Sequence, residues 1–495
     1  MPAITYKEWT GGLDRRLPIG VQDANRLWTL TNAYITAGKK IMKRPGLRLL
    51  SPDLAGSVGL EALNGGVCVF ASVGDAFVAP NGVGLLNLTP HSPGDFPTEL
   101  VDVVSAQMFQ GYPYLVAKHR TRVPRPPPPP GQVSAGGTII AVVTRHHYVD
   151  EGPDTRVTDA NCPHGDSATV AASRIFSTGG ETVPYSAAGD ARDWTTADDA
   201  GFLPVTLQSD QRAECAAVGT FRESLVVFFP ESAQVWGVQV DPSANQLTSR
   251  IDGVGTGHPI SLSSFYQDLA FLSQFGIRSI TVQQQSDRID ETDIGVPVDP
   301  LVSAAVAANS GPESAAVLGI WIQQFGQYWV LFDAGGYTQA FVYSFSRSSK
   351  LAAWSVYTFP VLLTGITTAS GKAYVRTASS LYELAADQFT DDSEPIDVDV
   401  QMAFQDAKLP GVEKMFYGAD FVFEGAPQLS YLYDPRDPSK ETNPQTVTGD
   451  TRAGTLVPVE VSAAAIAPRF QHSADEAFSI DMVTLYYHPL SAQSS

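Results

Sequence analysis

The sequence predicts an all-β protein: a β-propeller-like body with a small inserted β-sandwich-like domain and an amino-terminal arm containing one short helix. Three observations carry that expectation. From Leu60 onward, short apolar runs such as Val67-Cys68-Val69-Phe70-Ala71 and Ala76-Phe77-Val78 are separated by turn residues such as Gly74-Asp75, the pattern of strands joined by tight turns. Helical periodicity is scarce by comparison. Several apolar runs also carry one large aromatic residue: Gln234-Val235-Trp236, Gln327-Tyr328-Trp329-Val330, Ala353-Trp354-Ser355-Val356 and Ser380-Leu381-Tyr382. Such a loose recurrence suits large side chains packed between propeller blades, whereas strand density alone also allows a sandwich or a barrel.

Taken in order, residues 1–50 form a basic docking arm. They hold nine Lys or Arg against three acidic residues, so the arm is +6 on a chain whose net charge is −20. A basic arm on an acidic body is suited to docking on an acidic partner or a neighbouring copy. Within it, Leu27, Leu30, Tyr34 and Ala37 fall at helical spacing behind a possible cap at Asp23, which predicts a helix over 23–37 ended by Gly38. Lys39 to Gly46 then reads as a strand running into a Pro-Gly turn. Residues 51–123 supply the first propeller strands. Residues 124–131, with five consecutive prolines, form a stiff spacer in which the prolines span about 15 Å.

Beyond the spacer, the β-branched run Thr138 to Thr144, the segment Arg145 to Val149 and a polar loop define an inserted β-domain over 132–172. Residues 173–390 are the main propeller body. Its strand candidates are Ser224 to Phe229, Gln234 to Val240, Leu269 to Ser273, Ile277 to Val282, Tyr328 to Phe332, Ala340 to Phe345, Lys372 to Arg376 and Leu381 to Leu384. A carboxy-terminal β-region, 391–495, closes the body.

Composition narrows the function classes. Hydrophobic residues make up 43% and charged ones 17%, too apolar a balance for general disorder. No run approaches the roughly 20 apolar residues of a membrane helix. The start, Met1 to Glu8, lacks a signal-peptide core, so a soluble chain made in a cytoplasm is expected. The acidic balance argues against tight nucleic-acid binding through phosphate neutralisation. Cys68, Cys162 and Cys215 are too few and too widely spaced for a disulfide framework or a zinc knuckle, and read as buried thiols.

No catalytic, cofactor-binding or metal site is expected. His146 and His147 are adjacent, so on a strand they point to opposite faces and cannot readily share a metal. His164, with Cys162 and Asp166, lacks a second set of spaced ligands. The acidic pairs Asp198-Asp199 and Asp391-Asp392 are not framed by the aromatics a sugar-cleaving site would want. The GxSxG, P-loop and HExxH patterns are absent, and Gly253 to Gly257 reads as a β-turn.

With those residues laid out, Trp9-Thr10-Gly11-Gly12-Leu13-Asp14, then Asn32-Ala33-Tyr34, then Lys43-Arg44-Pro45-Gly46 resemble, in order, the amino-terminal pattern of the tail nozzle proteins of short-tailed phages, also called tail tubular protein B. Arg174-Ile175-Phe176-Ser177, Gly189 to Trp194, Phe271 to Ile277 and Ala353-Trp354-Ser355 are also similar to phrases of that family, with Ala191 where the family's loop has proline. The resemblance implies a β-propeller body in a sixfold homo-oligomeric ring below the tail adaptor and portal. It further implies a channel through which DNA passes without specific binding and in which it is retained until infection, with tail fibres or a tip protein as further neighbours. The expected location is the virion, assembled in the host cytoplasm, and the expected role is structural, not enzymatic. Assembly contacts are expected from Arg15, Arg16, Lys43 and Arg44, with Trp9 anchored in a neighbouring copy, since Trp and Arg are enriched at interface hot spots. A host-receptor or glycan-binding tail module is the alternative, followed by a polysaccharide-degrading enzyme.

Overall fold

The computed structural model describes residues 2–52, 54–63, 65–71, 99–124, 138–150, 155–208, 213–285, 293–309, 316–448, 451 and 455–490. Alternating or continuous apolar runs make strand its dominant regular structure, as the sequence predicts, and helix is confined to short segments. Among the described residues, seven groups of antiparallel strands succeed one another around a ring. Blade 1 is Ser57–Leu63 with Gly66–Ala71, and blade 2 is Glu99–Phe109, Tyr112–Pro124 and Thr138–Tyr148. Blade 3 runs from Ala168–Ala171 to Gly201–Leu203, and blade 4 from Ala217–Phe221 to Gln246–Asp252. Blade 5 has Ser263–Phe265, Asp268–Ser273 and Gly276–Ser279. Blade 6 runs from Leu318–Ile322 to Leu351–Phe359, and blade 7 holds Gly365–Ala369, Lys372–Arg376 and Leu381–Ala385.

The ring closes through the amino-terminal segment. Gly46–Ser51 adds to blade 7 antiparallel to Leu381–Ala385, and the chain then continues into the first strand of blade 1. A long-range strand pair of this kind ties the start of the ring to its end, at the cost of closing a loop of more than 300 residues.

The two chain ends build a second body. One sheet orders Val457–Ala463, Lys414–Glu424, Ser479–Pro489, Ile41–Lys43 and Ala33–Ile35, with Ala3–Tyr6 also paired to Ser479–Pro489. The other extends the sheet of blade 6: Leu351–Phe359 meets Arg26–Thr31 in a parallel pair at Val356 and Thr31. It then continues through Val398–Met402, Ala467–His472 and Gln428–Leu432. The sheets share one core, in which Phe421 of the first meets Phe470 of the second edge to face at 5.7 Å.

Residues 1–50 are therefore not a separate arm. Ile4, Tyr6, Leu13, Leu27 and Leu30 bury in this sandwich core against carboxy-terminal strands. The expected helix over 23–37 is instead the strands Arg26–Thr31 and Ala33–Ile35. A register shift between Leu27 and Thr29 turns both Leu27 and Leu30 inward, so a β-bulge reproduces the three-residue spacing of a helix. The aromatic and β-branched Trp28, Thr29 and Thr31 favour the extended form.

The segment expected as an inserted domain, 132–172, contributes Thr138–Tyr148 to a hairpin with Tyr112–Pro124, in register from Tyr114 with Tyr148 to Pro124 with Thr138. The proline run 125–131 lies outside the described residues. Strand candidates in blades 4, 6 and 7 match observed strands to within three residues, and Lys372–Arg376 matches fully. The candidate Ile277 to Val282 divides, since Gly276–Ser279 is strand and Ile280–Gln285 is helix. A second helix, Asp299–Ala308, follows Pro300 in its first turn and an alanine-rich sequence. The recurrent aromatics Trp236, Trp329, Trp354 and Tyr382 all lie buried in the cores.

Candidate functional site: a buried joint and an acid-lined axial cavity

The three amino-terminal signals converge where the sandwich meets blades 6 and 7. Gly12, at φ +56°, lies so close to blade 6 that a Cβ there would stand 2.8 Å from Ala353 Cβ and from the Trp354 nitrogen. Only glycine fits. Asn32, also at positive φ, uses its whole amide: Nδ2 donates to Thr358 Oγ1 (2.9 Å) and Asp397 O (2.7 Å). Its Oδ1 accepts from Thr358 N (2.8 Å) and Arg44 Nε (2.9 Å).

Arg44 is buried, and each of its five N–H donors has an acceptor. Nη1 and Nη2 grip the Asp391 carboxylate at 2.8 and 2.5 Å. Nη1 also donates to Pro45 O, Nη2 to Thr358 O, and the guanidinium lies 4.2 Å from the Phe359 ring centroid. Gly46 then begins the ring-closing strand, where a Cβ would stand 2.2 Å from Thr390 O.

The expected assembly residues separate. Trp9 and Lys43 are buried in their own subunit together with Arg44, because the terminal strands enclose them. Trp9 packs in the sandwich core, and its Nε1 has no acceptor among the described residues. Lys43 Nζ donates to Ala474 O at 2.7 Å; burial, then the neighbouring Arg44, lower its pKa to about 8. All three are enclosed within the subunit, and of them Arg44 belongs to the joint. Arg15 is half-buried, its guanidinium 4.0 Å from the Trp28 ring centroid. Arg16 reaches the surface and pairs at 2.8 Å with buried Asp14, which also holds Arg26.

Other candidates turn out to be core groups. Asp391 and Asp199 of the acidic pairs hold buried arginines, Asp199 binding Arg174 at 2.5 Å. His146 and His147 do face opposite ways, His146 Nδ1 to Tyr114 Oη at 2.6 Å and His147 Nε2 to His119 Nε2 at 3.0 Å. Burial drives His146 and His119 down to about 4 and leaves them neutral at neutral pH. All three cysteines are buried free thiols. Asp166, beside Cys162 and His164 in sequence, pairs with Lys118 at 2.7 Å, and no group of three metal-ligating side chains converges among the described residues.

The sequence reading missed the ring axis. Every blade's inner strand lines one cavity of about 330 Å³, through Glu61, Ser105, Ala168, Gly219, Ser263, Ile320 and Thr367. It adjoins a second of about 400 Å³ that Glu61 also lines, with Asp102 and Arg376. Burial pushes the Glu61 carboxyl up to about 8, and Asp102 adds repulsion. Asp102 is pushed up to about 6 by burial, offset by the Val103 N–H at 2.9 Å and by Arg376 and Lys118. Arg376 itself crosses from blade 7 to blade 1, its Nη1 donating to Ser57 O at 2.8 Å. A signal was present: Leu60-Glu61-Ala62-Leu63 and Val101-Asp102-Val103-Val104 each set one acid inside an apolar run.

No family model and no curated protein sequence matches the chain. Among solved structures it is similar to the WD40 domain of Pan2 from Neurospora crassa, with 6% identity and a TM-score of 0.33 over 57% of this chain and 89% of that one. It is also similar to Hsv2 from Kluyveromyces marxianus, with 9% identity and a TM-score of 0.27 over 52% and 84%. An exo-β-1,3-galactanase from Phanerochaete chrysosporium gives 11% identity and a TM-score of 0.25 over 66% and 96%. Likeness at this level carries no functional argument, and the assignment as an all-β, propeller-like protein rests on the closed strand ring itself.

Proposed function

We propose that this chain is a virion structural protein, a subunit of the nozzle ring at the tip of a short phage tail. The observation that carries the reading is the joint: Gly12, Asn32, Arg44 and Gly46, which bear the resemblance to nozzle proteins, converge on one seam between sandwich and propeller. Residues so used fix the angle between two bodies, which a ring subunit needs if repeated contacts are to close. The subunit would form a homohexamer below the tail adaptor and hold packaged DNA until infection. Net charge of −20 suits a conduit, since it repels phosphates and lets DNA slide. The conduit would lie between subunits. The axial cavities, about 330 and 400 Å³, are far too small for a duplex whose major groove alone is about 12 Å wide.

The test is DNA retention in particles assembled without this chain. The reading expects filled heads that lose DNA to added nuclease, with retention restored by the purified protein. Particles that keep their DNA but fail to adsorb to host envelope would replace it with the receptor-binding module.

A further inference from the structure

The strands of blade 2 outgrow their blade. Tyr112–Pro124 and Thr138–Tyr148 have 13 and 11 residues, whereas no strand of blades 3 to 7 described above exceeds the nine of Thr338–Ser346 and Leu351–Phe359. Glu99–Phe109 supports this hairpin only as far as Arg120. Beyond it, Thr121 to Pro124 pair with Thr138 to Ala141 and, among the described residues, with no third strand. Four such pairs extend about 13 Å past the blade.

The hairpin's chemistry changes along its length. Near the blade, Tyr114, Val116, His146 and Tyr148 on one face are buried. On the same face farther out, Lys118, Arg120 and Arg122 stand opposite Thr144, Val142 and Ile140. Ile140 is 69% exposed and Val142 53%, unusual for β-branched residues on a strand. The two strands Tyr112–Pro124 and Thr138–Tyr148 hold four basic residues (Lys118, Arg120, Arg122 and Arg145) and no acidic one, so they carry +4 and the rest of the chain −24. Lys118 and Arg120 pair with Asp166 and Glu99 of the same subunit. Among the described residues, the outer edge of Thr138–Tyr148 is met only near its end, where Thr155 to Val157 run beside His146 to Tyr148.

We infer that this hairpin, rather than residues 1–50, is the docking arm, and that it seats on the acidic body of a second copy of this chain. Three features fit that occupant together: opposite charge, exposed apolar side chains, and an open strand edge able to take another strand. A nucleic-acid backbone would use only the first. The inference rests on the ring reading and names its contact.

The test is sedimentation velocity of the full-length protein over a concentration series at low and high salt, with a fluorescein-labelled DNA duplex as a separate probe. The wild type is expected to self-associate, less so at high salt. The double variant Ile140→Glu/Val142→Glu should associate at least about tenfold more weakly with its melting temperature unchanged. Should the double variant misfold, Ile140→Ser at the more exposed position gives the same reading. A variant that assembles like wild type overturns the arm and leaves the ring intact. A wild type that stays monomeric at every concentration overturns both. A variant that loses duplex binding while self-association is unchanged makes the hairpin a nucleic-acid contact instead.

Discussion

The joint and the axial cavity both bury charge, and they do so in opposite ways. At the joint, Arg44 meets Asp391 in a two-point grip, and its remaining donors reach Asn32, Pro45 and Thr358. On the axis, Glu61 and Asp102 come from neighbouring blades; the Val103 N–H, then Arg376 and Lys118, offset the rise at Asp102, while Asp102 adds repulsion at Glu61. A matched buried pair fixes geometry, because losing either partner strands the other away from water. Unmatched buried acids hold protons instead and make stability depend on pH. The chain thus orients its two bodies with a fully satisfied polar network, while the raised carboxyls on its ring axis predict a stability that falls with rising pH.

The largest expected effect breaks the matched side. Arg44→Met leaves Asp391 buried and unpaired, and should cost about 3–5 kcal/mol in denaturant unfolding. A cost under about 1 kcal/mol would mean that the pair does not hold the seam. Gly46→Val tests the same seam sterically. With Thr390 O in the space of the new Cβ, a loss of about 1–3 kcal/mol is expected by the same measurement.

The cavity side is sharpened by pH. Because the folded-state pKa of Glu61, about 8, is raised above the ordinary carboxylate range, the folded protein binds the extra proton between roughly pH 4.5 and 8. Stability from this group is therefore greatest at low pH and falls as pH rises through that window; Asp102, at about 6, adds a fall over its lower part. Glu61→Gln should flatten the decline, matching wild type near pH 5 and exceeding it near pH 8.5 in midpoint denaturant concentration. Parallel profiles would show that Glu61 is hydrated and unshifted. The smallest effect is a control: Arg48→Ala removes an exposed pair with Asp387 and should change stability by no more than about 1 kcal/mol.

Much of the fold was legible because propeller strands are local: the runs around Trp236, Trp329 and Tyr374 carry their pattern within five to seven residues. What failed was non-local. The pairing of Ala3–Tyr6 and Ile41–Lys43 with Ser479–Pro489 joins segments more than 400 residues apart, and no local pattern announces it. The bulge at Trp28 imitated helical spacing for the same reason, since its inward-turning residues take their meaning from partner strands. Of the candidate site, Arg44 reads from the sequence as an assembly contact at a surface but is buried, because burial of a basic residue depends on Asp391, 347 positions away. Glu61 and Asp102 lie 41 positions apart without a motif, and only the packing of blade 1 against blade 2 brings their strands together.

The most direct test of the account is single-particle electron microscopy of the full-length protein, alone and mixed with the tail adaptor. The account predicts sixfold rings with a central opening between subunits, each subunit showing a propeller and a sandwich held at one fixed angle. Monomers under both conditions, or propellers and sandwiches at variable angles, would contradict it.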